Sequence, residues 1–284
     1  MTDNGKNGVL YVVATPIGNL EDISQRAITV LGKVSLIAAE DTRHSRKLLN
    51  HYGIAARLQA LHEHNERDIS KRLLRKLADG HDIALISDAG TPLISDPGFV
   101  LVRAARQAGI RVIPVPGPSA LIAALSVSGL PTDSFHFEGF LPAKAAARRE
   151  RLSGLQYANT TLVFYESSHR IVDSLADMAA CLGGERNATL ARELTKTFET
   201  VHDGTLAELG DWIQADSNQQ KGEFVVVVQG AVTDPAALDA AARHTLEVLL
   251  AELPLRQAAA LAAKISGVAK NRLYEYGLGL KQGR

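Results

Sequence analysis

Five short stretches of this 284-residue chain gather residue types that do chemistry, and each follows a run of apolar or β-branched residues. They are Thr15-Pro16-Ile17-Gly18-Asn19, Glu40-Asp41-Thr42-Arg43, His62-Glu63-His64-Asn65-Glu66, the loop from Asp88-Ala89-Gly90-Thr91-Pro92 to Asp96-Pro97-Gly98, and Pro116-Gly117-Pro118-Ser119. Carboxylates and imidazoles at such places can hold a ligand or move a proton. Asp88 closes the buried-looking run Ile83-Ala84-Leu85-Ile86, which favours a ligand contact over a plain turn residue. Asp96 is balanced between a ligand contact and the N-cap of a helix containing Pro97, and Asp41 or Thr42 is a candidate cap for the helix that follows. His62-x-His64 has the spacing that opens some zinc sites, but no later histidine or cysteine cluster completes a ligand set. Contact with a substrate is preferred there over zinc or a solvated loop.

The phosphate cradles are missing. No G-x-G-x-x-G follows the first apolar run and no G-x-x-x-x-G-K-[ST] occurs anywhere. A nucleoside without phosphates needs neither, and S-adenosylmethionine is such a ligand: Pro/Gly-rich loops can hold its adenosine by backbone groups, and a carboxylate or carbonyls can face its sulfonium.

The elements that must position these loops are repeated strand-and-helix units, which predict an α/β fold with a parallel sheet. Strands are expected at about 9–14, 35–39, 57–61, 83–87 and 112–115, with helices closed by Gly32, Gly53, Gly80 and Gly109 as left-handed caps. All five polar stretches then open onto one sheet edge, where open parallel sheets bind ligands. An apolar helix around 119–127 leads to the turn-rich 128–133. A second α/β domain with a mixed sheet is expected beyond it, with strands at 135–140, 161–165, 188–191, 197–203 and 224–229 and helices near 144–156, 171–182 and 206–215. From Asp234 only helices remain, broken at Pro254 and at Ser266-Gly267; Ala258 to Tyr276 fits a helix-turn-helix or plain helical packing. The expected domains are 8–127, 128–232 and a small helical C-terminal module, 233–284, with a cleft between the first two.

Composition bounds the rest. Balanced charge, 31 basic against 31 acidic residues, argues against a globally basic nucleic-acid coat and leaves local patches possible. Lys144, Arg148, Arg149 and Arg151 form one such patch, opposed by Glu150 alone, which reads equally as a solvated helix face or a phosphate contact. The stretch from Pro254 sets Arg256, Lys264, Lys270, Arg272, Lys281 and Arg284 against Glu275 alone. Cys181 is the single cysteine, so no internal disulfide forms and a reducing compartment is expected. No apolar run approaches the roughly 20 residues that span a bilayer. Met1 to Gly8 reads as a loose tail without the apolar core of a signal peptide, and a cytoplasmic location is expected.

Read in order, Thr15-Pro16-Ile17-Gly18-Asn19-Leu20, Ala39-Glu40-Asp41-Thr42-Arg43, Ser87-Asp88-Ala89-Gly90-Thr91-Pro92, Pro114-Val115-Pro116-Gly117-Pro118-Ser119-Ala120 and Tyr165-Glu166-Ser167-Ser168-His169-Arg170 make up one series. Arg192-Glu193-Leu194-Thr195-Lys196 and Gly222-Glu223-Phe224 continue it. The series resembles the ribosomal RNA small subunit methyltransferase I family, of the tetrapyrrole methylase superfamily, over nearly the whole chain. Thr15 to Asn19 stands where superfamily relatives usually carry G-x-G-P-G, a departure that argues against a tetrapyrrole substrate.

The resemblance implies an S-adenosylmethionine-dependent 2′-O-methylation of a cytidine in the decoding region of 16S rRNA, on naked RNA or on the assembled small ribosomal subunit, by a homodimer. It implies a cofactor pocket in the cleft, against Pro16, Asp88, Thr91, Pro92, Ser119, Ala120, Phe164 and Tyr165, with Phe224 on the far side. Glu40, Asp41, His62, Glu66, Glu166, His169 and Lys196 stay open as candidates for the group that takes the hydroxyl proton. Arg43, Arg170 and Arg192 are expected to hold phosphates, since a guanidinium stays charged and binds bidentately; Lys144, Arg148, Arg149 and Arg151 are the further RNA-binding candidates. No metal is required. The alternatives are a methyltransferase for a small cytosolic, tetrapyrrole-like substrate and a non-catalytic RNA-binding module.

Overall fold

Short β-branched runs followed by amphipathic, glycine-terminated stretches become five parallel strands with helices between them. In the computed structural model, which describes residues 7–231 and 240–282, these are β1 (Leu10–Val13), β2 (Leu36–Ala39), β3 (Leu58–Ala60), β4 (Ile83–Ile86) and β5 (Val112–Val115). The intervening helices are α1 (Gln25–Leu31), α2 (Thr42–His51), α3 (Glu66–Ala78) and α4 (Phe99–Gln107), with α5 (Ala120–Val127) after the last strand. The strand order is β3-β2-β4-β1-β5, all parallel. The two-residue period of a strand sends alternate side chains to opposite cores. Ala84 and Ile86 pack with Leu31, Ile37 and Leu49, while Ile83 and Leu85 pack with Leu73, Leu77 and Leu101.

The second sheet is built from β6 (Phe135–Phe140), β7 (Thr161–Ser167), β8 (Asn187–Arg192), β9 (Thr200–Thr205) and β10 (Glu223–Val228), in the order β6-β7-β10-β8-β9. Only β6 and β7 run parallel, so the sheet is mixed. Its helices are α6 (Ala145–Ser153), α7 (Ile171–Leu182) and α8 (Leu206–Ala215). Thr205 and Glu208 close a reciprocal capping box that starts α8.

Both sheets belong to one compact unit, residues 1–153 with 161–229; residues 154–160 with 230–284 form a second. In the second, α9 (Ala240–Glu252), α10 (Leu255–Ser266) and α11 (Lys270–Gln282) bury Leu246, Ala258, Ala259, Ala262 and Leu273. The small alanines let the helices approach closely, and Gly267 ends α10 in the left-handed conformation. Of the tail expected at Met1 to Gly8, residues 1–6 lie outside the described residues, as do the stretch opening at Asp234, the Lys281 side chain and Arg284; Gly8 is corrected, being buried with its N–H on the Leu77 carbonyl at 2.7 Å.

Two local expectations are corrected. Gly53, Gly80 and Gly109 are left-handed, but Gly32 has φ −76° and caps α1 in the right-handed region. Asp96 is not a cap: α4 begins after Gly98, with Pro97 outside it. The capping acceptor comes from elsewhere in the chain, since the Glu66 carboxylate takes the N–H groups of Gly98 (2.8 Å) and Val100 (2.9 Å). Among the described residues no helix is long and apolar enough to cross a membrane.

Candidate active site

The loops at the carboxyl ends of β1, β2 and β4 tie one another in place. Thr15 and Gly90 exchange backbone hydrogen bonds of 2.9 and 3.0 Å, joining the loops after β1 and β4. Asp88 accepts the N–H of Asp41 (2.9 Å), and Asp41 caps α2 by accepting from Arg43 (2.7 Å) and His44 (3.3 Å). Thr91 donates to the Pro118 carbonyl (3.0 Å), fixing the β4 loop against the approach to α5. Across from them, the Tyr165 hydroxyl accepts the Leu121 N–H at 3.1 Å.

The opposing wall comes from the second sheet. The ammonium of Lys196 bonds to Glu193 (2.8 Å) and Glu223 (2.7 Å), and Glu193 also accepts the Glu223 N–H (3.0 Å). Two glycines make this packing possible. A Cβ at Gly18 would lie 2.4 Å from the Lys196 side chain, and one at Gly222, where φ is +101°, would lie 2.5 Å from Glu193. The loop after β1 is bonded directly to this wall through the Asn19 N–H and the Thr195 hydroxyl (3.0 Å).

Between the walls lies a cavity of about 370 Å³, within the range of small-molecule sites. Ile94, Ala120, Phe140, Tyr165, Phe224 and Val225 give it an apolar face, and Glu40, Asp88 and Asp96 give it an acidic one. Among the described residues the non-glycine residues with positive φ are Leu93, Ser95, Glu193 and Thr195. All four sit in two of the loops that supply this lining, 88–96 and 193–196. Each such conformation costs about 1–3 kcal/mol and persists where the surrounding structure enforces it, as at binding sites.

The acidic face carries crowded charge. Burial, then repulsion from Asp88, Asp96 and Asp41, pushes the Glu40 carboxyl up to about 7. Burial and Asp88 raise Asp96 to about 6, against a hydrogen bond from Ser87 that lowers it. Burial also raises the Tyr165 phenol. The far wall is neutralised internally. Burial alone would weaken the Lys196 ammonium, but its bonds to Glu193 and Glu223 outweigh that and raise it, while Lys196 and the Glu223 N–H hold Glu193 below the usual range despite burial.

Of the residues expected to hold a cofactor, Asp88, Thr91, Ser119, Ala120, Tyr165 and Phe224 line the cavity. Pro16 and Pro92 are buried without lining it. Phe164, 0% exposed, is corrected from that set, because it neighbours Tyr165 on β7 and so points to the other face of the sheet.

Of the proton-accepting candidates, Glu40, Glu166 and Lys196 line the cavity. Lys196 is corrected, since its two carboxylate partners keep it protonated. Glu166, 2% exposed, is occupied by Arg170 (2.9 Å), the Ser174 hydroxyl (2.7 Å) and the Ser167 N–H (2.8 Å). Asp41 and Glu66 serve as caps. His62 is turned to Asn65 at 3.0 Å, in its own loop, and His169 is exposed outside the lining.

The arginines require the largest correction. Arg148 is 4% exposed and bonded to Asp177 at 2.6 Å; Arg149 reaches the same carboxylate, and Arg151 grips Glu138 with two bonds of 2.7 and 2.9 Å. Arg192, 7% exposed, donates to the carbonyls of Lys221, Asn218 and Phe198, and Arg170 donates to that of Leu141. These side chains fasten loops and helices. Arg43 and Lys144 are exposed, without an ion pair among the described residues.

Sequence reasoning missed Ser95, Phe140, Glu193 and Glu223 as cavity residues. Their signal was indirect: Gly139 and Gly222, beside Phe140 and Glu223, mark places where the backbone takes positive φ.

Comparison with known proteins gives the family and the fold. The model of the tetrapyrrole (corrin/porphyrin) methylases matches residues 9–210, and that of the RsmI C-terminal HTH domain matches residues 236–281. The chain is 62% identical over 273 residues to ribosomal RNA small subunit methyltransferase I of Pseudomonas aeruginosa, covering 95% of this chain and 97% of that one. It is 58% identical to the protein of the same name from Escherichia coli O157:H7, over 97% and 96% of the two chains. Among solved structures, diphthine synthase superposes with a TM-score of 0.58 at 16% identity, covering 78% of this chain and 90% of that one. Uroporphyrin-III-C-methyltransferase from Thermus thermophilus gives 0.55 at 21%, over 78% and 94%. At these identities the two structures speak to the fold alone.

Proposed function

This chain belongs to the ribosomal RNA small subunit methyltransferase I family, within the tetrapyrrole methylases, and on that premise we propose that it transfers a methyl group from S-adenosylmethionine to the ribose 2′-hydroxyl of a cytidine in the decoding region of 16S rRNA. The observation that carries this reading is the cavity itself, whose lining combines apolar and aromatic side chains with the carboxylates Glu40, Asp88 and Asp96. A nucleoside bearing a positive charge matches that pairing: the aromatic side receives the flat adenosine, and the carboxylates attract the cationic sulfonium and amino end.

When bound, S-adenosylmethionine would supply a methyl group on a cationic sulfur, an electrophile for the ribose 2′-oxygen, with sulfur taking the electron pair of the carbon–sulfur bond. Holding the two reactants in line and excluding water supplies most of the acceleration. The hydroxyl proton passes to Glu40, which lines the cavity and whose carboxyl is held near neutrality. Asp88 and Asp96 act by charge and position. The electrophile is the sulfonium, so the transfer needs no metal.

The substrate is small-subunit RNA, naked or assembled, and we take the enzyme to be a cytoplasmic homodimer. The module from residue 233 onward, matched to the RsmI C-terminal HTH domain, serves RNA or subunit docking. The test is direct. Small subunits from cells lacking this protein are incubated with pure enzyme and S-adenosylmethionine, and nuclease digests are mapped by mass spectrometry. A single new 2′-O-methylcytidine is expected, and an unchanged digest from enzyme that binds the cofactor overturns the substrate assignment.

A further inference from the structure

We infer that the solvent face of α2, with the groove beside it, is the track on which the phosphodiester backbone of the RNA substrate docks; the inference rests on the RNA-methylating reading above. Residues 43, 46, 47 and 50 recur at the i, i+3, i+4, i+7 spacing of one helix face and are all exposed, whereas Ser45 and Leu49 on the opposite face are buried. That face reads Arg43, Arg46, Lys47, Asn50. From Thr42 to Arg57 there is no aspartate or glutamate, and Arg57 adds to the same sign.

What separates this helix from the cationic α6 is the state of its charges. On α6, Arg148, Arg149 and Arg151 are held by Asp177 and Glu138. A phosphate would have to displace those carboxylates. Among the described residues Arg46, Lys47 and Arg57 enter no ion pair, so their partners are solvent counterions, which a phosphate releases with a gain in free energy.

Shape and position agree. Arg46, Asn50 and Arg57 line a concavity of about 360 Å³ whose remaining wall includes Leu49, Ile54 and Leu58, so charged and amide donors meet an apolar surface on which a sugar or base can rest. The helix spans about 15 Å at 1.5 Å per residue, the reach of about four phosphates of a stacked strand. Its N-terminus follows Asp41, whose N–H is bonded to the cavity residue Asp88. A strand laid along α2 therefore arrives at the acidic face of the cavity, where a ribose has to be presented.

The test uses the full-length triple variant Arg46→Ala/Lys47→Ala/Arg57→Ala, whose substitutions are all on the surface. Small-subunit RNA binding is measured across a salt series, with calorimetry of S-adenosylmethionine and methylation kinetics alongside. The slope of log affinity against log salt should fall in magnitude by about two to three units, since each phosphate contact contributes about 0.7–0.9. The KM for RNA should rise at least tenfold with kcat and cofactor affinity unchanged. Wild-type slope and KM in the variant overturn the track, as does loss of cofactor affinity, which would make this face a support of the cavity. A wild-type enzyme that binds cofactor but neither binds nor methylates small-subunit RNA removes the functional reading, and this inference with it.

Discussion

The two walls of the cavity are lined by the same residue type in opposite circumstances. On the strand ends of the first sheet, Glu40, Asp88 and Asp96 crowd together with no cation among them, and two of these carboxyls are pushed up toward neutrality. On the second sheet, Glu166 is bound by Arg170, and Glu193 and Glu223 share Lys196. The paired acids have already found their counter-charge and build the wall. The unpaired ones repel one another, a repulsion that a proton or a bound cation relieves, and on the proposed function the first wall is the one that faces the cation.

Breaking the paired side should cost the fold most. Glu166 is buried and accepts from three donors, so Glu166→Ala leaves the buried Ser174 hydroxyl without its acceptor and takes the counter-charge from Arg170, which keeps only the Leu141 carbonyl and the Ser167 hydroxyl. Removing one partner of a fully buried pair costs about 3–5 kcal/mol; Arg170 is 25% exposed, which places the loss here at the low end, about 3 kcal/mol. Urea denaturation should show that loss, and a midpoint within error of wild type would mean that the pair is not structural.

Breaking the unpaired side should spare the fold and lower cofactor affinity. Asp88→Ala removes a carboxylate at the cavity, and a hydrogen bond to a charged group contributes about 1.5–3 kcal/mol, roughly 10- to 150-fold in Kd. Calorimetric titration with S-adenosylmethionine reads this directly. Unchanged affinity in a folded Asp88→Ala variant would take the acidic face out of the binding site.

The same contrast sets a pH signature. A carboxyl raised in the folded state binds protons there that the unfolded chain has already released. The free protein should therefore lose stability as pH rises from about 4 toward 7, through the window set by Glu40 near 7 and Asp96 near 6, and level off above it. A cationic ligand reverses the sign, because it binds the ionised carboxylates: its affinity should climb over pH 5 to 8 and binding should release protons. Thermal melts with and without S-adenosylmethionine across that range check both limbs. Ligand stabilisation that does not grow with pH would separate these acids from the cation.

Legibility in the sequence follows the range of the interactions. The five parallel strands and their order along the chain are written in local β-branched runs, and Glu40 and Asp88 are found because a strand end is a local feature. Phe164 was misplaced because a dipeptide does not say which of its side chains faces the cavity. The arginines of α6 were misread for a different reason: Asp177, the partner that neutralises Arg148 and Arg149, lies one helix further on, and nothing near Arg148 marks it. Glu193 and Glu223 were missed because their place in the lining depends on a left-handed turn at Glu193 and on the room left by Gly222.

The smallest expected effect sharpens the contrast at its edge. Arg151 forms two short bonds to Glu138, but its own side chain is 54% exposed while that of Glu138 is 3% exposed, so water competes for the guanidinium and takes it up when the pair opens. A fully exposed pair contributes about 0–1 kcal/mol; this one, with its carboxylate buried, lies at the upper end of that range, and Glu138 keeps His136 at 2.7 Å when Arg151 is gone. Arg151→Ala should shift the urea midpoint barely, well below the change in Glu166→Ala, and leave the salt dependence of RNA binding where it was, because a cation already held by a carboxylate releases few counterions to a phosphate. A drop in salt slope of about one unit in this variant would show that Arg151 lets go of Glu138 to meet RNA, and pairing in the free protein would then no longer separate structural cations from RNA-binding ones.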